Sequence, residues 1–232
     1  MNFAIIAAGE GSRLANEGVA KPKPLVELGG TPVIERLIRI FERQNAESIS
    51  IVINGQQPET LAFLKSVECA CKLNIVVKST PSSMHSFHAL SSLLRNGKFC
   101  LTTVDTLFKE EEFARYIKAF EEYKGDGMMA VTDYIDDEKP LYVATDEELR
   151  ITAFLDTPAD DTRFISGGIY GLGTKALDIL DRCMAEGVHR MRNFQRSLVD
   201  SGMKLKAFPM GKIIDIDHAE DIAKAEIFIA GK

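Results

Sequence analysis

Residues 9–13 read Gly-Glu-Gly-Ser-Arg and directly follow a six-residue apolar run, Phe3-Ala4-Ile5-Ile6-Ala7-Ala8. Two glycines one residue apart let backbone N–H groups turn toward a ligand with no Cβ in the way. Successive N–H groups aimed at one point form an anion site, and Arg13 adds a guanidinium fork suited to phosphate oxygens. Lys21 and Lys23 follow, each placed before a proline. Proline fixes its own φ and biases the preceding residue toward an extended backbone, which holds a lysine in one direction. A phosphate cradle with a rigidly presented lysine implies chemistry at a polyphosphate.

Two other glycine motifs are excluded. A dinucleotide fingerprint needs a third glycine and an acid near the end of the second strand. Here Leu14 takes the glycine position, and the second apolar run ends Ile53-Asn54-Gly55. A P-loop needs Gly-Lys-Ser or Gly-Lys-Thr, and the chain contains neither.

The elements that must hold these residues follow from periodicity. After the first buried strand, Thr31 can cap a helix with Pro32 at its first position. Ile34, Leu37, Ile38 and Phe41 then fall on one face. Strands are expected over 48–53, 73–77 and 99–104, with helices over 58–67 and about 85–95. This alternation predicts an α/β domain with a mostly parallel, Rossmann-like sheet covered by helices on both faces. Ligands of such sheets sit beyond the carboxyl ends of the strands, where the cradle, the polar loop 79–84 and Asp105 all fall. Beyond a helix over 109–124, strands over 128–135, 141–144, 151–155 and 164–170 predict an antiparallel extension. Helices over 175–186 and 193–201, a strand from 205 leading into 213–217, and a helix from about 219 complete the chain. The expected division is one domain over 1–232, with a nucleotide-binding half at about 1–108 and an acceptor-binding half at about 127–217.

Composition narrows the class. The net charge of −6 argues against a general nucleic-acid binder. No window approaches the ~18 apolar residues of a membrane span, and the apolar run at residue 3 leaves no room for a signal peptide. Cys69, Cys71, Cys100 and Cys183 show no paired C-x-x-C spacing, so zinc is not expected. Reduced thiols in a cytoplasmic protein are the simplest reading.

The chain resembles the nucleotidylyltransferases that make sugar nucleotides. Ala7-Ala8-Gly9-Glu10-Gly11-Ser12-Arg13-Leu14 is similar to their signature L-A-A-G-x-G-[ST]-R-[LM]. Pro22-Lys23-Pro24-Leu25 is similar to the P-K-x-L that follows it. The resemblance implies the nucleotide-diphospho-sugar transferase type of fold, and Mg²⁺-dependent coupling of an NTP to a phosphorylated small-molecule acceptor. It implies that Ala8, Gly9, Glu10, Gly11, Ser12 and Arg13 hold the triphosphate, with Lys23 and Arg13 as catalytic cations. It implies Asp105 as one metal ligand. A second comes from Asp215-Ile216-Asp217, with Asp217 preferred and Asp215 close behind. The base loop falls at Ser83, Met84 and His85, without the family's usual Gly-Thr pair.

The acceptor half departs most. Where the family carries E-K-P after a strand, the matching stretch reads Asp156-Thr157-Pro158, so the lysine that meets the sugar phosphate is missing. Gly168 lies in a Gly167-Gly168-Ile169-Tyr170 stretch that resembles N-A-G-I-Y. Arg190, Arg192 or Arg196 are candidates for the missing cation; a solvated helix face is the competing reading. The expected acceptor is a sugar 1-phosphate. Phosphocholine or a similar phosphorylated alcohol is the alternative, and a non-catalytic nucleotide-binding regulator is the alternative of another class. A nucleotide-sugar-dependent glycosyltransferase fits less well, because Asp105 is followed by Thr106-Leu107 rather than completing an Asp-x-Asp. No nucleic-acid partner is expected, and an oligomer is possible.

Overall fold

The first strand, β1 (Asn2–Ala7), is buried at every position. Side chains alternate across a strand, so Phe3, Ile5 and Ala7 enter one core while Ala4 and Ile6 enter another. A strand apolar on both faces belongs at the centre of a sheet covered on both sides. The computed structural model, which describes residues 1–136, 138–159 and 162–231, places it there.

In chain order the nucleotide half comprises α1 (Ser12–Asn16), β2 (Glu27–Leu28), β3 (Thr31–Pro32), α2 (Val33–Arg43), β4 (Ser48–Ile53), α3 (Pro58–Ser66), β5 (Lys72–Val77), α4 (Ser83–Leu90) and β6 (Phe99–Thr103). After β7 (Thr106–Leu107) come α5 (Glu110–Glu122), β8 (Gly127–Thr132), β9 (Tyr142–Thr145), β10 (Ile151–Leu155) and β11 (Phe164–Leu172). The last elements are α6 (Thr174–Ala185), α7 (Met191–Asp200), β12 (Leu205–Pro209), β13 (Ile214–Asp215) and α8 (Ala219–Ile229).

β5, β4, β1 and β6 run parallel in that spatial order. β11 then joins β6 antiparallel and pairs with both β8 and β9. The expected parallel centre with an antiparallel extension is therefore present. One face carries α2, α3, α5 and α8, around stacked rings of Phe3, Phe41 and Phe113. The other carries α4, α6 and α7. The chain winds outward from β1 to β4 and β5, then crosses back to set β6 on the other side of β1. Between the loops after β1 and β6 the winding direction reverses, and a crevice opens there.

Several boundaries differ from the sequence expectation. Thr31 does not cap a helix. Gly29 and Gly30 have φ of 56° and 80°, the conformation of a tight hairpin turn, so Thr31–Pro32 pairs back on Glu27–Leu28. Pro32 is then the cap of α2, which begins at Val33. The helix expected from residue 85 starts at Ser83 and gives way to a 3₁₀ turn after Leu90. The segments around 205 and 213 are two separate strands rather than one.

Candidate active site

The loop after β1 forms one wall of a cleft of about 470 Å³; residues 80–83 and 103–105 form the others. Ala8, Gly9, Glu10, Gly11 and Ser12 all line it. Gly11 adopts φ 66°, where a side chain is strained, and a Cβ there would touch the Lys23 Cβ at 3.4 Å. Around Gly9 no atom lies within 4 Å of where a Cβ would stand, so a ligand can approach the backbone closely.

Lys23 enters the same cleft. Pro22, at φ −53° and ψ 143°, leads into a 3₁₀ turn over Lys23–Leu25. This aims the ammonium 2.6 Å from Asp105 Oδ2 and 2.8 Å from Asp217 Oδ1. Arg13 closes the group from outside, 2.8 Å from Asp217 Oδ2. Burial alone would lower the Lys23 pKa, but the Asp105 and Asp217 carboxylates outweigh it and hold the value above the ordinary lysine range. The group is therefore a fixed cation. Burial disfavours a charge on Asp217 as well; the Lys23 hydrogen bond and the Lys23 and Arg13 charges prevail and keep its pKa below the usual carboxylate value.

Asp105 and Asp217 lie far apart in sequence and meet for a local reason. β7, just after Asp105, pairs antiparallel with β13, setting Asp215 opposite Thr106. The Ile216 N–H then donates to the Asp105 carbonyl at 3.3 Å, which leaves Asp217 beside Asp105. Asp217 does not cap α8. His218 takes that position, and the Asp221 carboxylate accepts from the N–H groups of Asp217 and His218 at 3.1 and 2.8 Å. Glu17 secures the same helix start through Ala219 N–H and His218 Nδ1, both at 2.6 Å.

Asp215 does not line this cleft; it is exposed to solvent beside it, yet closely flanked by protein. That surrounding protein first, and the Asp105 charge second, push its pKa well above the usual carboxylate range, against a hydrogen bond from Thr106. Carboxylates crowded in this way favour a cation between them. Two oxygens that already share one ammonium cannot stand farther apart than its two hydrogen bonds laid end to end. Hard carboxylate oxygens are the donor type Mg²⁺ takes, one or two at a time, with phosphate oxygens and water completing its shell. Among the described residues no group of three or more His, Cys, Asp or Glu could hold a metal ion, so a divalent cation beside Asp105 and Asp217 would need phosphate oxygens or water to complete its shell.

A second cleft of about 270 Å³ adjoins the first. Gly168, Lys139, Arg190, Arg192 and Asp215 line it. Gly168 sits at φ 71°, where the register of β11 against β8 shifts. A Cβ there would come within 2.8 Å of Thr106 Oγ1, so glycine is what lets β11 cross beneath the cleft. Arg190, at φ 72°, caps α7.

Some expected residues lie elsewhere. Met84 is fully buried in the core beneath α4, so its side chain does not reach a base. His85 does not line the phosphate cleft; its ring stacks on His189 at 5.4 Å and its Nδ1 lies 2.8 Å from Ser82 Oγ. Of the three base-loop residues, Ser83 alone lines the cleft. Asp156 lines neither cleft; its carboxylate pairs with Arg192 at 2.6 Å and Arg196 at 2.8 Å. Lys139 was not anticipated, although a signal exists. The tripeptide sought at 156–158 stands intact one hairpin earlier, as Glu138-Lys139-Pro140.

Known proteins share sequence and fold with this chain. The family described as "MobA-like NTP transferase domain" matches residues 3–165. "Probable mannose-1-phosphate guanylyltransferase 1" of Oryza sativa subsp. japonica is 25% identical over 230 residues, covering 95% of this chain and 62% of that protein. The 2-aminoethylphosphonate cytidylyltransferase of Lancefieldella rimae is 30% identical over 114 residues, 47% of this chain and 45% of the relative. The chain thus spans about half to two thirds of the length of these relatives. The solved inositol-1-phosphate CTP transferase of T. maritima superposes with a TM-score of 0.79 at 20% identity, covering 95% of this chain and 90% of that one. At that identity the likeness shows the fold, the nucleotide-diphospho-sugar transferase type.

Proposed function

This chain belongs to the MobA-like NTP transferase domain family, and from that premise we propose that it is a Mg²⁺-dependent nucleotidylyltransferase joining an NTP to a phosphorylated small-molecule acceptor. The observation that carries the reading is the Lys23 ammonium held between Asp105 and Asp217 beside a glycine cradle. In the reaction an acceptor phosphate oxygen attacks the α-phosphorus. The new bond joins that oxygen to the α-phosphorus; the bond from the α-phosphorus to the α–β bridging oxygen breaks, and pyrophosphate leaves with the electron pair. The acceptor phosphate is already an anion near neutral pH, so no general base is needed.

Catalysis then rests on position and charge. The backbone of residues 8–12 cradles the triphosphate. Arg13 and Lys23 neutralise charge on the α-phosphate and the leaving group. Asp105 and Asp217 would hold Mg²⁺, with Asp215 as the neighbouring carboxylate. When bound, the metal supplies charge neutralisation on the phosphate oxygens. Residues 1–108 would carry the nucleotide and 127–217 the acceptor. Among the described residues no helix is long and apolar enough to cross a membrane; the four free cysteines suit a cytoplasmic setting.

The acceptor belongs to the phosphate or phosphonate class that the relatives' names share: mannose 1-phosphate, inositol 1-phosphate, 2-aminoethylphosphonate. The cationic lining of the second cleft supports this. A quaternary-ammonium cage needs several open aromatic faces, whereas Tyr170 is the one aromatic side chain among the described residues that line the second cleft, and it is buried. Pyrophosphate release across the four NTPs and a panel of phosphorylated acceptors, with and without Mg²⁺, tests the reading. Release that needs NTP, acceptor and metal together supports it; none with any pair refutes it.

A further inference from the structure

We propose that Cys69 and Cys71 form a redox-reactive dithiol, which a low-molecular-weight disulfide such as oxidised glutathione converts reversibly into an intramolecular Cys69–Cys71 disulfide. The inference does not depend on the nucleotidylyltransferase reading. Both residues stand in the connection between α3 and β5, where the chain bends at Ala70 and Cys71. The bend brings the two sulfurs to 3.5 Å, with one thiol donating to the other. A disulfide bond is about 2.05 Å long, so closure needs a shift of only about 1.5 Å. Both side chains are partly exposed, so a small oxidant can reach them.

Two side chains of α2 hold this bend. Arg39 Nη1 donates to the Glu68 carbonyl at 2.7 Å and to Glu42 Oε2 at 3.0 Å. The Glu42 carboxylate accepts from the Ala70 N–H at 2.6 Å and from the Cys69 thiol. The backbone is therefore fixed on both sides of Cys69. Burial first, and the Cys71 and Glu42 hydrogen bonds after it, push the Cys69 thiol up to about 12, against a backbone hydrogen bond from Cys71. Thiolate is the nucleophile in exchange, so Cys71 meets the oxidant and Cys69 resolves. When Cys69 loses its hydrogen, Glu42 keeps the Ala70 and Arg39 donors, so closure strands no carboxylate. Cys100 and Cys183 are 0% and 1% exposed, and such buried thiols are inert.

The exchange balances in two steps. The Cys71 thiolate attacks one sulfur of oxidised glutathione; a Cys71–glutathione bond forms, the glutathione S–S bond breaks, and one glutathione thiolate leaves with the electron pair. The Cys69 sulfur then attacks Cys71 Sγ, and the second glutathione leaves. The two protons of the protein thiols end on the two glutathione thiols. The protein dithiol is oxidised and one small disulfide is reduced. The pair stands at the amino end of β5, whereas the cleft opens beyond the carboxyl ends of the parallel strands. Six residues of strand, about 20 Å, separate the two ends, so oxidation should leave the cleft unchanged.

The test incubates the reduced full chain with oxidised glutathione, quenches with acid, alkylates the unfolded protein and maps the cysteines by mass spectrometry. Wild type should lose the mass of two hydrogens. Cys100 and Cys183 should be alkylated, Cys69 and Cys71 protected, and dithiothreitol should restore all four thiols. Cys69→Ser should trap a glutathione adduct on Cys71. Cys71→Ser, left with the shielded Cys69, should react at least about tenfold more slowly. The inference is overturned if Cys69 and Cys71 both remain alkylated, if each ends as a glutathione adduct without closure, or if the disulfide joins two chains on a non-reducing gel. Equal trapping rates in the two serine variants overturn the assigned order. NTP affinity that differs more than about twofold between reduced and oxidised protein, read by isothermal titration, overturns the independence of the pair from the cleft. Failure to bind any NTP in either state sinks the nucleotidylyltransferase reading and leaves the disulfide result standing.

Discussion

Replacing Lys23 by alanine should move two properties in opposite directions. The ammonium sits 2.6 Å from Asp105 and 2.8 Å from Asp217. In the proposed turnover it would neutralise charge that grows in the transition state, and loss of one such donor costs about 10²–10³-fold in kcat. Without nucleotide the same ammonium would compete with the proposed Mg²⁺ for the two carboxylates. A charge-assisted hydrogen bond contributes about 1.5–3 kcal/mol. The Asp217 side chain is 43% exposed, so solvent screens its share, and the Asp105 bond dominates. Removing the competitor should tighten Mg²⁺ binding by roughly tenfold, equivalent to about 1.4 kcal/mol. Calorimetric Mg²⁺ titration of the nucleotide-free protein reads the second effect, and pyrophosphate release reads the first. Lys23→Arg should also fail in turnover, because a wide fork does not replace a compact ammonium. Turnover of Lys23→Ala within a few-fold of wild type refutes the catalytic role. Mg²⁺ binding that is unchanged or weaker refutes the competition.

Asp105→Asn and Asp217→Asn should each abolish turnover and raise the Mg²⁺ requirement, while the double variant is hardly worse than either alone; additive losses in kcat/KM would show that the residues act separately. Arg13→Ala should lower kcat/KM by about 10²-fold, since its fork lies at the cleft rim against Asp217; activity within a few-fold of wild type removes it from the site. Gly168→Ala combines a left-handed backbone with a Cβ 2.8 Å from Thr106 Oγ1, so a cost of at least about 1–2 kcal/mol is expected. Calorimetry should show Tm falling by at least about 3 °C. His85 has its pKa lowered from 6.5, by burial first and then by the charges of His189, His88 and Lys78. The unfolded chain therefore binds this proton more readily, so its contribution is present above pH 6.5 and lost as pH falls through the lowered value. The Tm advantage of wild type over His85→Gln should shrink below pH 6.5; an advantage that grows on acidification contradicts this.

The sequence made the centre of the fold legible because β1 and α2 state their periods clearly. Phe3, Ile5 and Ala7 alternate with Ala4 and Ile6, and Ile34, Leu37, Ile38 and Phe41 repeat at helical spacing. The cradle and Lys23 were legible because glycine and proline fix backbone geometry locally. That Asp105 and Asp217 meet was expected from strand ends opening on one crevice. The β7–β13 ladder that brings them together was not, since two-residue strands carry no pattern. Met84 was read by its place in a loop motif, whereas its spacing with Phe87 and Leu90 marks the buried stripe of α4. Asp156 and Lys139 escaped for a related reason. Sequence order set residue 157 where a lysine was sought, while Lys139, from the segment before β9, lines the second cleft and its carbonyl accepts from Arg192.

The central claim is that an acceptor phosphate oxygen attacks the α-phosphorus. It is tested most directly with an acceptor whose phosphate carries ¹⁸O, incubated with NTP and Mg²⁺ and followed by mass spectrometry. The account predicts that all transferred label lies in the nucleotide-linked product and that the released pyrophosphate carries none. Label in free phosphate or pyrophosphate, or NTP consumed with the acceptor left unconjugated, would contradict it.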